Sequence, residues 1–190
     1  YTLCSDGDLQ EGIASEAASL AGHLRLRKLI ALYDDNHIQL DGPTSMAWSE
    51  DVVARFEAYG WHSARVEDGN DIEAIAAAIE DARADERPSL IAVRTHIGYG
   101  SPNRQDTQKA HGQPLGVDEV RLVKEAYGWD PDKSFFVPDD ARELFRRAIP
   151  AGDDLVAAWE RALDSYDSAH PRLAAEFRRR VIDRRLADGW

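Results

Sequence analysis

The chain has 190 residues, of which 43% are hydrophobic and 31% are charged, a composition typical of a globular domain with its own core. Its net charge of −12 argues against general binding to nucleic acids or to anionic membranes. One cysteine excludes a disulfide within the chain, and no apolar run reaches the ~18 residues that span a bilayer, so we expect a cytoplasmic protein.

The order of apolar runs and helical patterns predicts the fold of residues 1–130. Predicted strands cover 1–4, 29–33, 61–66 and 89–93. The helices between them are 11–26, a helix capped by Ser49 that ends at Gly60, and an amphipathic helix whose apolar face includes Ile72. This β-α-β-α-β-α-β order predicts an α/β fold, with a doubly wound, mostly parallel sheet flanked by helices.

A glycine-rich loop and a helical extension follow the last predicted strand. The loop, residues 95–116, has almost no periodicity, and a connection this long inside a compact domain is usually functional or disordered. A helix resumes over 117–127. Residues 131–190 are predicted to form a helical extension that leads toward another domain. Its arginine-rich run, 178–185, is predicted to be a solvated helix face or a linker that docks on an acidic neighbour.

Polar residues follow the first two predicted strands at the point where each strand ends. Asp6 and Gly7 come directly after the first strand, and Asn36 follows the second. Because open parallel sheets bind ligands beyond the carboxyl ends of their strands, we expect these residues at one binding edge. Carboxylate and amide oxygens suit Mg2+, which often keeps a phosphate ligand. Gly7 would let the backbone approach that phosphate, and the next helix would point its N-terminus at it.

Each of these positions also has an ordinary structural interpretation. Asp6 could cap a helix, and 34–36 could be an exit from a strand. Glu11 could stabilise the helix N-terminus, or it could hydrogen-bond a group that binds the ligand, and we favour the second. Cys4 is predicted to be a small core residue. His111 lies in the glycine-rich loop, where an imidazole can shuttle protons or donate to a substrate oxygen.

Several segments, in this order, resemble the diphosphate-binding domain of transketolases, which are thiamine diphosphate enzymes. They are SDGDLQEG (5–12), YDDNHI (33–38), RFEAYGW (55–61), IGYGSPN (97–103) and HGQPLG (111–116). The resemblance extends through the C-terminal extension and covers nearly the whole chain. This chain has Ser5 where the family commonly has glycine, and a small residue fits that position if its backbone dihedrals are ordinary.

The resemblance implies a metal site and a cofactor site. Side-chain oxygens of Asp6 and Asn36 and the backbone carbonyl of Ile38 would bind Mg2+, with Ca2+ as a substitute ion. Asn36 would also belong to the cofactor site.

The remaining cofactor contacts are implied in the same way. Gly7 would contact the diphosphate, Ile97 would pack near the cofactor rings, and Glu11 would support the site. His111 would lie beside both the diphosphate and the reacting substrate, as a catalytic residue. The family transfers a two-carbon ketol unit between sugar phosphates.

The resemblance also implies parts that this sequence does not contain. It places further histidines upstream of Tyr1, and it places the glutamate that activates the cofactor in a following domain, contributed across a dimer interface. Since Tyr1 already lies in a predicted strand, we expect a piece of a larger assembly that is dimeric and has no transferase activity alone.

The sequence leaves four other functions open. A 2-oxoacid dehydrogenase component or a deoxyxylulose-phosphate synthase would share the Asp and Asn metal ligands. A binding subunit without catalytic activity could keep the fold, although loss of function would tend to erode Asp6 or Asn36 first. A Mg2+-dependent phosphatase would need a nucleophilic aspartate at a strand end, which we do not find.

Overall fold

Four parallel strands form the sheet that positions the site. A computed structural model of the chain describes residues 1–187 and 189–190. The strands are β1 (Thr2–Ser5), β2 (Ile30–Asp35), β3 (His62–Val66) and β4 (Ser89–Arg94). They lie in the order β1-β2-β4-β3, and every neighbouring pair is parallel. Parallel neighbours require crossover connections, which the intervening helices supply.

Helices account for most of the remaining regular structure. They are α1 (Asp6–Gln10), α2 (Gly12–His23), α3 (Val52–Ala58), α4 (Ile72–Ala84), α5 (Val117–Ala126), α6 (Asp139–Arg146), α7 (Ala148–Ala169) and α8 (Pro171–Phe177). Short 3-10 turns at Thr44–Met46 and Gln108–Ala110 and a π-helical turn at Arg178–Ile182 complete the described elements. The chain divides into two units, Tyr1–Asp132 and Lys133–Trp190.

Two hydrophobic clusters cover the two faces of the sheet. On one face, Tyr33 and Leu90 pack with Phe56 and Trp61. On the other face, Ile91 and its strand neighbours pack against the alanine-rich side of α4. A parallel sheet with helices on both faces is the predicted α/β architecture, which the structure confirms.

Three details of the predicted helices were wrong. The helix predicted over 11–26 is shorter, Gly12–His23, and a separate short helix that was not predicted, α1, precedes it; the extended backbone of Glu11 (φ −69°, ψ 136°) separates the two. The third helix is capped by Asp51 rather than Ser49, because the Asp51 carboxylate accepts a hydrogen bond from the Ala54 amide at 3.1 Å. Ile72 opens α4 but is 75% exposed, whereas Ile75 and Ile79 further along the predicted apolar face do pack against the sheet, beside the buried alanines of that helix.

Small residues on α2 allow a close approach to the segment that follows α3. Ala18 and Ala21 are buried, and the indole N–H of Trp61 donates to the Ala18 carbonyl at 2.8 Å. At Gly22, an added Cβ would lie 1.9 Å from the backbone carbonyl oxygen of Tyr59. Since backbone cannot move aside as a flexible side chain can, the helices pack at this distance only with glycine there.

We expect Gly22→Ala to lower the free energy of unfolding by about 1–3 kcal/mol, the usual cost of overpacking a well-filled contact. Urea denaturation followed by circular dichroism measures it. Gly152→Ala is the matched control, because an added Cβ there meets no atom within 4 Å and lies inside α7. Equal stability of Gly22→Ala and the parent would show that the α2 contact is looser than the structure indicates.

The second unit consists of α6, α7, α8 and the π-helical turn. The sequence pattern predicts a buried face at Trp159, Leu163 and Tyr166, but Leu163 is only partly buried, and Trp159 and Tyr166 are 54% and 39% exposed within the chain. The Trp159 ring instead contacts Phe177 of α8, with ring centroids 6.0 Å apart. Across the described residues, no helix is both long and apolar enough to cross a membrane.

Candidate functional site

The pairing of β1 with β2 brings the predicted site residues to one edge of the sheet. Ser5 lies opposite Asp34 in the register, so Asp6 at the start of α1 and Asn36 beyond β2 leave the sheet side by side. Next to them is a cavity of about 500 Å³. Its lining residues are Ser5, Asp6, Gly7, Asp8, Gln10, Glu11, Asn36, Ile38, Gln39, Leu40 and His111. Every predicted site residue except Ile97 therefore lines one cavity.

Asp6 is buried with one oxygen engaged and one oxygen free. The residue is 3% exposed, and its Oδ1 accepts a hydrogen bond from the hydroxyl of Tyr33. Its Oδ2 is buried and has no hydrogen-bond partner. Burial raises the pKa of Asp6, since removal from water disfavours the ionised form. A cation bound at Oδ2 would compensate for this lost hydration.

Asn36 and Ile38 supply the next two oxygens. Asn36 is 7% exposed, and its Oδ1 accepts a hydrogen bond from the Ile38 amide at 2.9 Å, which fixes the side chain in a tight local turn. His37, between them, has a left-handed backbone (φ 64°). From the residues that the structure describes, no hydrogen bond reaches the carbonyl oxygen of Ile38.

This donor set fits a hard divalent cation. It offers a free carboxylate oxygen on Asp6, the remaining lone pair of the Asn36 amide oxygen and the Ile38 carbonyl oxygen, which are the ligand types that Mg2+ takes. In the described part of the chain, no three His, Cys, Asp or Glu side chains group closely enough to chelate a metal. An ion here would therefore complete its shell with water or with oxygens of a bound anion.

The space beside Gly7 fits such an anion. A Cβ added at Gly7 would meet no protein atom within 4 Å, so protein packing does not account for the glycine. The position lies in the first turn of α1, where backbone N–H groups have no partner within the helix. The open space at Gly7 gives a diphosphate room to approach the start of α1.

His111 and Gln39 place two more uncommitted polar groups at the cavity. The His111 Nδ1 and the Gln39 Nε2 are both buried and lack hydrogen-bond partners, as does the Asp6 Oδ2. Sequence reasoning missed Gln39. Gln39 could have been predicted from its position directly after Ile38, because a segment whose backbone carbonyl binds a metal also places the adjacent residues near the site.

The model of the family described as "Transketolase, thiamine diphosphate binding domain" matches residues 1–186 of this chain. The chain belongs to the transketolase family. This assignment confirms the resemblance and decides against the 2-oxoacid dehydrogenase component and the deoxyxylulose-phosphate synthase.

Individual transketolases agree with the family match. The chain is 53% identical to a transketolase of Geobacillus stearothermophilus and 50% identical to one of Halalkalibacterium halodurans. The whole chain aligns in both comparisons, and it covers 29% of the first relative and 28% of the second. A crystal structure of a Pichia stipitis transketolase variant superposes with a TM-score of 0.91 at 41% identity, over 99% of this chain and 28% of that one. The chain thus spans less than a third of these relatives' length.

Ile97 lies apart from the other predicted residues of the transketolase domain. It lines a neighbouring cavity of about 580 Å³, which shares Ser5 and Asp8 with the first one. The Asp8 carboxylate accepts hydrogen bonds from the Ser5 amide and hydroxyl at 2.9 and 3.0 Å, so it closes the first turn of α1 between the two cavities. Cys4 also lines the second cavity, and burial raises the pKa of its thiol to about 11, which keeps it protonated near neutral pH.

The glycine-rich loop that carries Ile97 and His111 is anchored by Glu119 of α5. Glu119 is 8% exposed, and it accepts hydrogen bonds from the Ser101 hydroxyl at 2.5 Å and from the amide and side chain of Asn103, both at 2.9 Å. His96, in the same loop, contacts the Asp106 carboxylate at 2.9 Å. Sequence reasoning missed this anchor.

Hydrogen bonds from Ser101, and then from Asn103, hold the pKa of Glu119 below its usual 4.5. A lowered folded-state pKa means that this stabilisation is present above the unfolded-state pKa and is lost as the pH falls through the folded value. We therefore expect Glu119→Gln to lower the thermal midpoint by on the order of 5 °C at pH 7. The difference should begin to shrink as the pH falls below the unfolded-state pKa of a glutamate, about 4.3, and should vanish once the pH has passed below the lowered folded-state pKa, where the parent also loses its carboxylate.

Calorimetry between pH 3 and pH 7 measures that difference. Glu73→Gln serves as the control, because it removes one negative charge from an exposed position on α4. A deficit for Glu119→Gln that is the same at both ends of the pH range would contradict a role for the ionised carboxylate.

Proposed function

We propose that this transketolase domain binds the diphosphate end of thiamine diphosphate together with Mg2+, and that it takes part in ketol transfer between sugar phosphates. The observation that carries the proposal is the unpartnered Oδ2 of buried Asp6, which shares its cavity with Asn36, Ile38 and the open space at Gly7. A buried anionic oxygen without a donor destabilises the domain unless a cation binds it.

The residues of the metal site have distinct roles in this proposal. Asp6 and Asn36 hold Mg2+ through side-chain oxygens, and Ile38 holds it through its carbonyl. Ca2+ is the proposed substitute, since it takes the same oxygen ligands at longer distances.

The cofactor residues surround this ion. Gly7 leaves room for the diphosphate, Glu11 supports the start of α2 at the cavity wall, and Ile97 packs near the cofactor rings from the neighbouring cavity. His111 donates to the diphosphate or to the substrate through an imidazole nitrogen. Thiamine diphosphate itself, when bound, supplies the electron sink that carbon–carbon bond cleavage needs.

Sugar phosphates are the proposed substrates. Structures of the Pichia stipitis transketolase are described as complexes with fructose-6-phosphate and with sedoheptulose-7-phosphate. Because this chain spans less than a third of its relatives, we propose that a further domain or a second chain supplies the activating glutamate in a dimeric assembly. The cytoplasm is the proposed compartment, and nucleic acids and membranes are not proposed partners.

Calorimetry of thiamine diphosphate and Mg2+ tests the metal and cofactor roles. We expect binding by the chain mixed with the complementary region of a transketolase, and loss of the Mg2+-dependent part in Asp6→Ala, because the substitution removes the one anionic metal ligand. Asp81→Ala is the matched control, since it removes an exposed carboxylate of α4. A folded chain that binds nothing in any mixture would support the non-catalytic alternative.

The same preparations test activity. The chain alone should show no ketol transfer, and the complemented mixture should show transfer from a ketose phosphate to an aldose phosphate in a coupled assay. Turnover by the purified chain alone would contradict the proposed need for a second part.

His111→Ala should reduce kcat/KM of the complemented mixture by roughly 10²-fold or more, the usual contribution of a positioned acid–base group. His23→Ala is the control, because His23 is an exposed residue at the end of α2. Steady-state kinetics measures both variants. Comparable kcat/KM values for His111→Ala and His23→Ala would remove His111 from the proposed site.

A further inference from the structure

Tyr33 connects the hydrophobic core to the proposed metal site. It lies on β2, is 4% exposed, and packs its ring within the cluster that includes Phe56 and Leu90. Its hydroxyl leaves this apolar surrounding at one point, where it donates to the Oδ1 of Asp6. A buried ring has few rotamers available, so the hydroxyl occupies a fixed position relative to the strand.

A second acceptor lies near the same hydroxyl. The Oδ1 of Asp35 is 3.2 Å from the Tyr33 oxygen, and the Asp35 carboxylate also contacts the imidazole of His37 at 3.2 Å. A phenol has one proton to donate. Asp6 is the closer acceptor, and Asp35 has His37 as a second partner. The Tyr33 hydroxyl therefore donates its hydrogen bond to Asp6.

We propose that Tyr33 is a positioning residue for the metal site: its hydroxyl occupies the Oδ1 of Asp6 and leaves the Oδ2 as the single oxygen that binds the cation. This inference rests on the proposed function. The state of the other oxygen supports this inference. The Oδ1 of Asp6 accepts the Tyr33 hydrogen bond, whereas its Oδ2 has no partner and is available to a cation. Groups that orient a metal ligand in this way commonly change metal affinity 10–100-fold.

One-oxygen binding by Asp6 has a consequence for metal choice. Mg2+ requires near-octahedral geometry with short bonds, whereas Ca2+ accepts both oxygens of a carboxylate and a larger, more flexible shell. Tyr33 therefore favours Mg2+ over Ca2+ at this position. Without the hydroxyl, Asp6 is free to rotate and to offer both oxygens.

Titration of the full chain with Mn2+, which takes the same oxygen ligands as Mg2+, tests the inference. The loss of the free-ion paramagnetic resonance signal reports binding, and Mg2+ and Ca2+ serve as competitors. We expect Tyr33→Phe to bind Mn2+ and Mg2+ about tenfold or more weakly than the parent, with a smaller loss for Ca2+. A merely structural role would leave the ratio of Mg2+ to Ca2+ affinity unchanged.

Two controls separate the possible outcomes. Tyr127→Phe removes a hydroxyl hydrogen bond to the Tyr99 carbonyl, away from the ends of β1 and β2, and should bind the metals as the parent does. Asp35→Asn leaves the Tyr33 bond to Asp6 in place and should retain Mn2+ affinity within about twofold. A loss in Asp35→Asn as large as that in Asp6→Ala would overturn the inference, whether or not Tyr33→Phe folds.

The comparison with Asp6→Ala distinguishes failure of the inference from failure of the proposed function. If Asp6→Ala loses Mn2+ and Tyr33→Phe keeps the parent's affinity and ion preference, the positioning role is wrong and the metal site stands. If Asp6→Ala binds Mn2+ as the parent does, or the parent binds none even with thiamine diphosphate and the complementary region of a transketolase present, the metal site is wrong and the role of Tyr33 fails with it.

Discussion

The parallel pairing of β1 with β2 is the constraint on which the site depends. Ser5 opposite Asp34 sets where both strands end, and it brings Asp6 into the cavity that Asn36 and Ile38 line. Because side chains alternate between the faces of a strand, a shift of one residue would turn Tyr33 away from its core cluster and its hydroxyl away from Asp6. Hydrophobic packing thus fixes the register, and the register fixes the polar geometry.

Three buried polar atoms without hydrogen-bond partners lie together at the candidate site. Buried polar atoms in folded proteins are normally hydrogen-bonded, yet Asp6, Gln39 and His111 each keep one buried atom without a partner at this cavity. The surrounding sheet is well packed, with Leu90 and Ile91 fully buried in β4, one of its two inner strands. A stable scaffold of this kind tolerates unsatisfied groups at one edge, and those groups are the ones available to a ligand.

The sequence predicted those parts of the site that depend on residue type and on the ends of strands. Asp6 and Asn36 could be found because each follows an apolar run. Glu119 could not, since its role depends on how α5 packs against a loop that lacks periodicity. In the sequence, Tyr33 is indistinguishable from any other aromatic residue in a strand. The direction of its hydroxyl depends on the register between β1 and β2, which the sequence pattern does not give. The cap at Asp51 was missed because several acceptors precede that helix, and only backbone geometry selects among them.

The position of β1 in the sheet affects how the isolated chain behaves in solution. β1 is an outer strand, paired with β2 on one side, and Leu3 at its centre is 81% exposed. An open, apolar strand edge is a template for pairing with a strand of another molecule. Self-association through this edge would compete with the binding of a complementing chain, and it would decrease as the protein is diluted. The oligomeric state of the chain should therefore be measured by light scattering over a concentration series whenever its binding affinities are measured.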